Sequence, residues 1–346
     1  NGIEVEVWEV GGWGTLRIGQ AGATDIAQDE TDAPSRFKQA DQVMMAISAI
    51  PNSFSHTEMD FGTFVWVAYG NRLIWDVGYG SLHGDRYETA PDYPPDQNPY
   101  AHSTLIVPEA LRDGDTSTNT SQIDGRDGTI ETQTIDGYEL IALDGSNVYG
   151  QNDLDYGWLE HFTRLALPLE SGTIVLIDDF MVRSDRPESE VVEHWYTQPY
   201  DETLNTDDCA HQDTSTRNDI NDTYVDIIPA CSRLENTVSE SAGRIVGTAY
   251  YGGHFEEDGD ISFYDRLNNL NTKIRIIWKP EEPVRRDLRL FALTSATSEA
   301  ELQDSTWDWI ECDDDLCAEL TTNGAVVLSL GFEDNGAMYT LVSIEE

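Results

Sequence analysis

The apolar segments of this chain are short and interrupted by Gly, Asp and Asn, and this feature restricts its fold more than any other. Strand-like runs recur along the sequence, for example at 61–69, 129–143 and 158–167. Residues that favour turns separate or divide them, as Asp136-Gly137 does within 129–143. Helix signals are few, and the best is a short one at Ser298–Gln303. The pattern predicts an all-β protein, a large antiparallel β-sandwich with little helix.

The length of 346 residues is enough for one large core or two smaller ones. The sequence shows neither an internal repeat nor a clear boundary in composition. We therefore expect residues 1–200 to form the core of the sandwich. Residues 201–346 are expected either to continue the sandwich or to form a smaller β subdomain.

The charge of the chain is strongly negative, with 65 Asp and Glu against 20 Lys and Arg and a formal net charge of −45. The acidic residues are spread among aromatic and strand-like segments, which indicates a folded chain. A lysine-poor acidic surface predicts a saline environment, because salt screens its self-repulsion; ordinary acidity is the alternative. Nucleic acid is excluded as a partner because phosphate binding needs basic patches. No apolar run is long enough to span a membrane.

The four cysteines do not form the paired C-x-x-C motifs of a zinc ribbon. We expect local disulfides, Cys209–Cys231 and Cys312–Cys317, each closing a loop in an acidic, turn-rich segment. Four free buried thiols are the alternative. Disulfides imply an oxidising compartment, so the protein is expected to be secreted, periplasmic or at the cell surface.

Side chains that can bind a metal lie between strand-like runs in the stretch Phe54–Thr104. Two strands joined at Gly70-Asn71 would bring Glu58 and Asp76 to the same end of a hairpin. His102 comes directly before a third predicted strand, Ser103–Val107. Two carboxylates and an imidazole predict a divalent metal site, with zinc favoured and manganese or calcium as alternatives. A hydrogen-bonded polar cluster without metal stays open as the other interpretation.

The same stretch carries an ordered set of short motifs. They are H-x-x-x-D-x-x-T-F at 56–64, Asp-Val-Gly at 76–78 and Ala-His-Ser-Thr at 101–104. This order resembles the C-terminal β-sandwich domain of heparinase II/III-like polysaccharide lyases. The similarity runs from about Trp13 to Pro199. It includes Arg164, Ile177-Asp178-Asp179 and Glu193-His194-Trp195.

One departure from that family lies in the first motif. The family often has H-x-H there, with the second histidine on a zinc ion, whereas this chain has His56-Thr57-Glu58. Glu58 is therefore expected to replace that histidine as a ligand, unless the metal differs or is absent.

The resemblance implies β-elimination on an acidic, uronate-containing polysaccharide such as alginate, ulvan or a glycosaminoglycan. In that reaction a base removes the C5 proton, the carboxylate is neutralised, and an acid protonates the leaving oxygen. On this resemblance we expect His56 to face the substrate and Tyr87, Tyr93 or Tyr100 to act as base or acid, with Tyr87 favoured because Arg86 stands beside it. Arg86 is expected to pair with the sugar carboxylate. Loop packing is the alternative role for His56 and Tyr87.

The family also places a helical α/α-toroid before its β-domain, and the toroid supplies part of the active site. The resemblance therefore implies that full activity needs a toroid domain or subunit. The alternative function is a non-catalytic carbohydrate-binding or surface-assembly protein built on the same sandwich.

Overall fold

Antiparallel pairing accounts for every sheet that the computed structural model describes. Four sheets contain the strands of this part of the chain, and its helical segments are short 3-10 turns. No helix in it is long and apolar enough to cross a membrane. The described residues are 2–19, 43–50, 60–69, 71–74, 102–111, 122–123, 126–153, 155, 157–197, 224–227, 242–251, 254–264, 270–280, 282–296, 299–312 and 315–346.

The first sheet is a five-stranded meander in which each strand pairs with the next one along the chain. One face of this sheet carries Leu16, Ile18 and Met45, which are buried in the main core. The strands are β1 (Gly2–Trp8), β2 (Trp13–Gly19), β3 (Val43–Ser48), β4 (Phe64–Ala68) and β5 (Asn71–Ile74).

The central sheet has seven strands in the order β12-β13-β16-β10-β9-β8-β7. Strands from both sides of residue 200 contribute to it. They are β7 (Thr129–Ile135), β8 (Tyr138–Asp144), β9 (Leu159–Pro168), β10 (Ile174–Val182), β12 (Tyr224–Ile227), β13 (Ala242–Ala249) and β16 (Arg286–Ala296).

Two four-stranded sheets complete the structure. The third sheet has the order β14-β15-β11-β6, and the C-terminal sheet is the meander β17-β18-β19-β20. The strands of the third sheet are β6 (Leu105–Ile106), β11 (Val192–Thr197), β14 (His254–Tyr264) and β15 (Leu270–Lys279). Those of the C-terminal sheet are β17 (Ser305–Ile310), β18 (Leu316–Thr322), β19 (Ala325–Asp334) and β20 (Tyr339–Glu345).

The central sheet is covered on both faces, which explains the nearly continuous apolar sequence of β10. Successive side chains of a strand point to opposite faces. Leu176 and Phe180 therefore enter the main core against the first and third sheets, whereas Val175 and Ile177 enter a second core against the C-terminal sheet. We call these two sides of the central sheet the inner and the outer face. Asp178 and Asp179 consequently lie on opposite faces.

The sequence prediction of an all-β antiparallel sandwich with little helix is confirmed. The turn at Asp136-Gly137 joins β7 to β8, and both residues have positive φ, 51° and 89°. Strands β4 and β5 pair antiparallel, as the predicted hairpin requires. At Ser298–Gln303 the structure has a 3-10 turn, Glu299–Glu301, because the segment is too short for a stable helix.

Three strands were missed by the sequence patterns, namely β14, β17 and β18. Strand β14 begins His254-Phe255-Glu256-Glu257-Asp258, and its acidic residues conceal it because such residues are depleted in strands. The predicted strand Ser103–Val107 is also shorter in the structure, where β6 is Leu105–Ile106.

The disulfide between Cys312 and Cys317 is present, with a Cα–Cα distance of 6.0 Å. It closes the connection between β17 and β18, so this predicted pairing is confirmed. Cys209 and Cys231 lie outside the described residues, and their pairing stays a prediction.

Candidate functional site

Two of the sequence motifs meet on the inner face, although about 40 residues separate them. The backbone N–H of Ser103 donates a hydrogen bond of 3.0 Å to the Thr63 hydroxyl oxygen. The Thr104 hydroxyl in turn donates to the carbonyl oxygen of Phe61 at 2.6 Å. All four residues are buried. The ends of the first and third motifs therefore form one hydrogen-bonded unit, which we call the motif junction (residues 60–64 and 102–104).

A tight turn shapes the first half of the motif junction. The Thr63 N–H donates to the Asp60 carbonyl oxygen at 2.9 Å, and Gly62 has a φ of 80°. A side chain at Gly62 would be strained at this φ and would meet the Thr104 hydroxyl at 3.3 Å. The Ser48 hydroxyl donates to the Asp60 carboxylate at 3.3 Å. The Asp60 carboxylate thus links the turn to Ser48, the last residue of β3.

A buried arginine, Arg164 on β9, is hydrogen-bonded to the backbone of this turn. Its Nη1 donates to the Gly62 carbonyl oxygen at 2.5 Å. Its Nε and Nη2 form a bidentate pair with Asp178 at 2.7 and 2.6 Å, and Nη2 also donates to Glu193 at 2.7 Å. Arg164, Asp178 and Glu193 are all motif residues of the sequence resemblance. In the structure they form one ion cluster.

A second arginine, Arg289 on β16, extends the cluster. Its Nε donates to Asp287 at 3.0 Å and its Nη2 donates to the Val191 carbonyl oxygen at 2.6 Å. Its Nη1 lies 3.9 Å from the Oε1 of Glu193. These ion-pair side chains have essentially no solvent exposure. We call Arg164, Asp178, Glu193, Asp287 and Arg289 the buried ion cluster.

The buried ion cluster contains three carboxyl groups and two guanidinium groups, so full ionisation would leave one net negative charge in the core. Burial raises the pKa of Glu193 to about 8, and the negative charge of Asp178 adds to the rise, while Arg164 and Arg289 oppose it. Burial likewise raises the pKa of Asp287. Burial and the neighbouring Asp178 charge therefore favour the protonated form of the Glu193 carboxyl.

Tyr149 and Gln122 close the motif junction from the other side. The Tyr149 hydroxyl donates to the Leu105 carbonyl oxygen at 2.7 Å and accepts from Gln122 at 3.2 Å. The Gln122 side chain also bonds both backbone groups of Phe61, at 3.0 and 3.1 Å. Burial raises the pKa of Tyr149, so this phenol stays protonated and acts as a structural donor.

Among the predicted metal ligands, the structure describes His102. It is fully buried within the motif junction, and its carbonyl oxygen accepts the Thr104 N–H at 3.0 Å. Glu58 and Asp76 lie outside the described residues, as do the predicted catalytic residues His56, Arg86 and Tyr87. Within the described part of the chain, no group of three His, Cys, Asp or Glu is placed to hold a metal ion. The metal site stays a prediction.

The sequence patterns did not single out Gln122, Tyr149, Asp287 or Arg289. One signal was available for Arg289, since it stands in β16 within an apolar strand sequence, where a charged residue must be paired when it is buried. Gln122 and Tyr149 come from turn-rich segments, in which polar residues are ordinary.

No protein-family model and no curated protein sequence matches this chain. Solved structures do match. A heparinase III structure superposes with a TM-score of 0.60 at 14% identity, covering 98% of this chain and 43% of that one. A second heparinase III gives 0.59 at 13% identity, with 95% and 42% covered. The heparan sulfate lyase HepC from Pedobacter heparinus gives 0.56 at 14%, with 88% and 40% covered.

These likenesses show that the chain has a heparinase-like fold, the fold that the sequence motifs indicated. The chain spans less than half the length of the solved structures that it matches.

Proposed function

We propose that this chain is the β-domain of a polysaccharide lyase that cleaves an acidic, uronate-containing polysaccharide by β-elimination. The observation that carries the proposal is the motif junction. The segment with His56 connects to the described fold at Asp60, and the segment with Arg86 and Tyr87 connects to it at His102. Hydrogen bonds between Thr63, Ser103 and Thr104 hold these two connection points together.

The buried ion cluster supports the proposal because it makes the motif junction rigid. Catalytic groups must be held within a fraction of an ångström of their productive geometry by a shell of locked side chains. Arg164 fixes the Gly62 carbonyl, and two carboxylates fix Arg164 in turn. A domain without a precise site would gain little from five buried ionisable groups, since apolar residues fill a core at lower cost.

The proposed chemistry assigns roles to three side chains. Either Tyr87 or His56 removes the C5 proton of a uronate, and the other of these two side chains protonates the leaving oxygen. Arg86 neutralises the sugar carboxylate. A tyrosine acts as a base when its surroundings lower its pKa. We further propose that an α/α-toroid part completes the site for full activity.

A divalent metal is a further part of the proposal. Glu58, Asp76 and His102 would hold it, and this set of two carboxylates and one imidazole suits zinc or manganese. Bound there, it would offset the repulsion between the carboxylates and fix the segment that carries Tyr87. We also propose an extracellular, periplasmic or cell-surface location in a saline environment, because the chain is highly acidic and contains a disulfide.

The test is ultraviolet absorbance of unsaturated uronate in digests of several polyuronates at high salt. The assay should be run with this chain alone and with the longest form of the protein that occurs naturally. We expect His56→Ala and Tyr87→Phe to reduce the rate at least about a hundredfold. The matched controls His83→Ala and Tyr79→Phe alter the same residue types in the neighbouring sequence and should change the rate less than about threefold. Equal losses in the test and control variants would contradict the assigned roles.

A further inference from the structure

An exposed aromatic cluster lies on the outer face of the molecule, at the border between the central and the C-terminal sheets. Tyr250 and Tyr251 follow β13 and are 41% and 55% exposed. The Tyr250 ring lies 5.0 Å from Tyr251, 5.3 Å from Trp309 and 5.8 Å from Tyr339, measured between ring centroids. Exposed apolar patches on soluble proteins often mark interaction sites.

Hydrogen bonds hold the backbone of Tyr250 and Tyr251 and the indole ring of Trp309. The Tyr250 N–H donates to the Leu288 carbonyl oxygen at 2.9 Å, and the Tyr251 N–H donates to the Asp287 carboxylate at 3.2 Å. The Trp309 indole N–H donates to the Thr248 hydroxyl at 3.2 Å. The backbone under the cluster and the Trp309 ring are therefore fixed, which reduces the conformational entropy lost when a ligand binds.

Polar groups border the aromatic rings. Arg286 lies 3.6 Å from the centre of the Tyr339 ring and donates to the Asp334 carboxylate at 2.7 Å. Asp334 is partly exposed. The hydroxyl groups of Tyr251 and Tyr339 are hydrogen-bonded to each other, and burial raises the pKa of Tyr339, so it remains a neutral phenol. The border therefore offers carboxylate and hydroxyl acceptors beside the ring faces.

We propose that Tyr250, Tyr251 and Trp309 form a binding surface, which we call the platform, for the pyranose rings of a neutral polysaccharide. The Tyr250 ring meets the other two edge to face, at interplanar angles of 71° and 73°, so sugars would stack on the exposed faces of individual rings. The C–H groups on one face of a pyranose carry partial positive charge and pack well on the negative face of an aromatic ring. Sugar hydroxyls are donors that match the Asp334 carboxylate. The platform is separate from the motif junction, because the central sheet lies between them.

The charges on and around the platform favour a neutral glycan over an acidic glycan, a second copy of the chain or a nucleic acid. Arg286 is buried and already paired with Asp334, so it gives a polyuronate or sulfated glycan little to bind. A second copy of the chain would bring two bodies of net charge −45 together, which electrostatic repulsion opposes. Nucleobases also stack on aromatic rings, but the phosphate backbone is repelled in the same way.

The platform would bind the protein to a matrix that contains both neutral and acidic polysaccharides, while the proposed lyase site acts on the acidic ones. This role does not depend on the lyase chemistry. Loss of glycan binding would leave cleavage of short soluble uronates unchanged, and loss of cleavage would leave glycan binding unchanged. The two proposals therefore fail independently.

The experiment is affinity electrophoresis and calorimetry with soluble xylan, glucomannan and mixed-linkage glucan, and with polygalacturonate for comparison. We expect at least one neutral glycan to bind and Tyr251→Ala to weaken that binding about tenfold or more. Tyr251→Phe keeps the ring and should retain most of the affinity. Val326→Ala changes another exposed side chain of the C-terminal sheet and should have no effect.

Three outcomes would overturn the proposal. The first is that none of the neutral glycans binds. The second is that Tyr251→Ala binds like the parent while its circular dichroism is unchanged. The third is a concentration-dependent dimer, seen by sedimentation velocity, that Tyr251→Ala abolishes, since the platform would then be a protein contact.

Discussion

Replacement of Arg164 by Met should destabilise the protein strongly, because this guanidinium connects three separate parts of the fold. Arg164 itself belongs to β9 in the central sheet. It binds Asp178 on β10, Glu193 on β11 in the third sheet, and the Gly62 carbonyl of the motif junction. The side chains of Arg164, Asp178 and Glu193 are all buried from solvent. Methionine would fill part of the space but would leave two carboxyl groups and one carbonyl without their donor.

The expected loss is about 4 kcal/mol in the free energy of unfolding at neutral pH. Removing one partner of a buried ion pair costs about 3–5 kcal/mol, because the remaining charge stays buried without compensation. Protonation of Glu193 relieves part of this cost, since its pKa is already raised. The loss should therefore shrink as the pH falls, and Arg164→Lys should recover only part of it, because ammonium cannot reproduce the bidentate geometry.

Urea unfolding followed by tryptophan fluorescence measures this loss, provided that the unfolding slope is unchanged. The matched control is Arg17→Ala, which removes an exposed pair with Glu4 at 3.3 Å and should cost less than about 1 kcal/mol. Hydrogen exchange adds a local measurement, since the amides of Gly62 and Ser103 should exchange faster in Arg164→Met. If Arg164→Met were within about 1 kcal/mol of the parent at neutral pH, the reasoning about the motif junction would be refuted.

Three further predictions concern pH, salt and metal. Because the pKa of Glu193 is raised in the folded state, its contribution to stability is complete in mild acid and is lost as the pH rises towards about 8. In urea unfolding, the free energy of unfolding of Glu193→Gln should therefore fall less than that of the parent over this pH range. Identical pH profiles for the two proteins would contradict the assignment. Salt should raise the melting temperature, because 65 acidic residues repel one another, and a steady fall from low to molar salt would contradict this expectation. For the metal, His102→Ala should lower both bound divalent metal and thermal stability, whereas His56→Ala should spare both. Elemental analysis that finds no metal in protein kept from chelators would remove this prediction.

Local turn chemistry explains why much of the sheet structure was predictable. The turn of β7 and β8 at Asp136-Gly137 needs two residues that tolerate positive φ, and this pair of residues is a strong sequence signal for it. Strands β7, β8 and β9 were predicted from their own residues alone. Strand β14 was missed because its acidic residues hide its strand propensity. In a chain with this charge, polarity is a poor guide to where strands end.

The candidate site was only partly predictable, because its contacts join distant segments. The sequence identified the motif residues Arg164, Asp178 and Glu193 but gave no reason for them to meet. Their contact depends on the third sheet lying against the inner face, with Glu193 of β11 above Arg164 of β9. Such packing is decided by the whole core. The Asp60–Thr63 turn is the one short-range feature of the site.

Nuclear magnetic resonance of the products released from a polyuronate by the longest natural form tests the lyase proposal most directly. β-Elimination leaves a double bond between C4 and C5 at the new non-reducing end and takes no oxygen from water. We expect the vinyl proton of that double bond, and no incorporation of labelled oxygen when the reaction runs in labelled water. Saturated ends carrying solvent oxygen would show hydrolysis and contradict the proposed function.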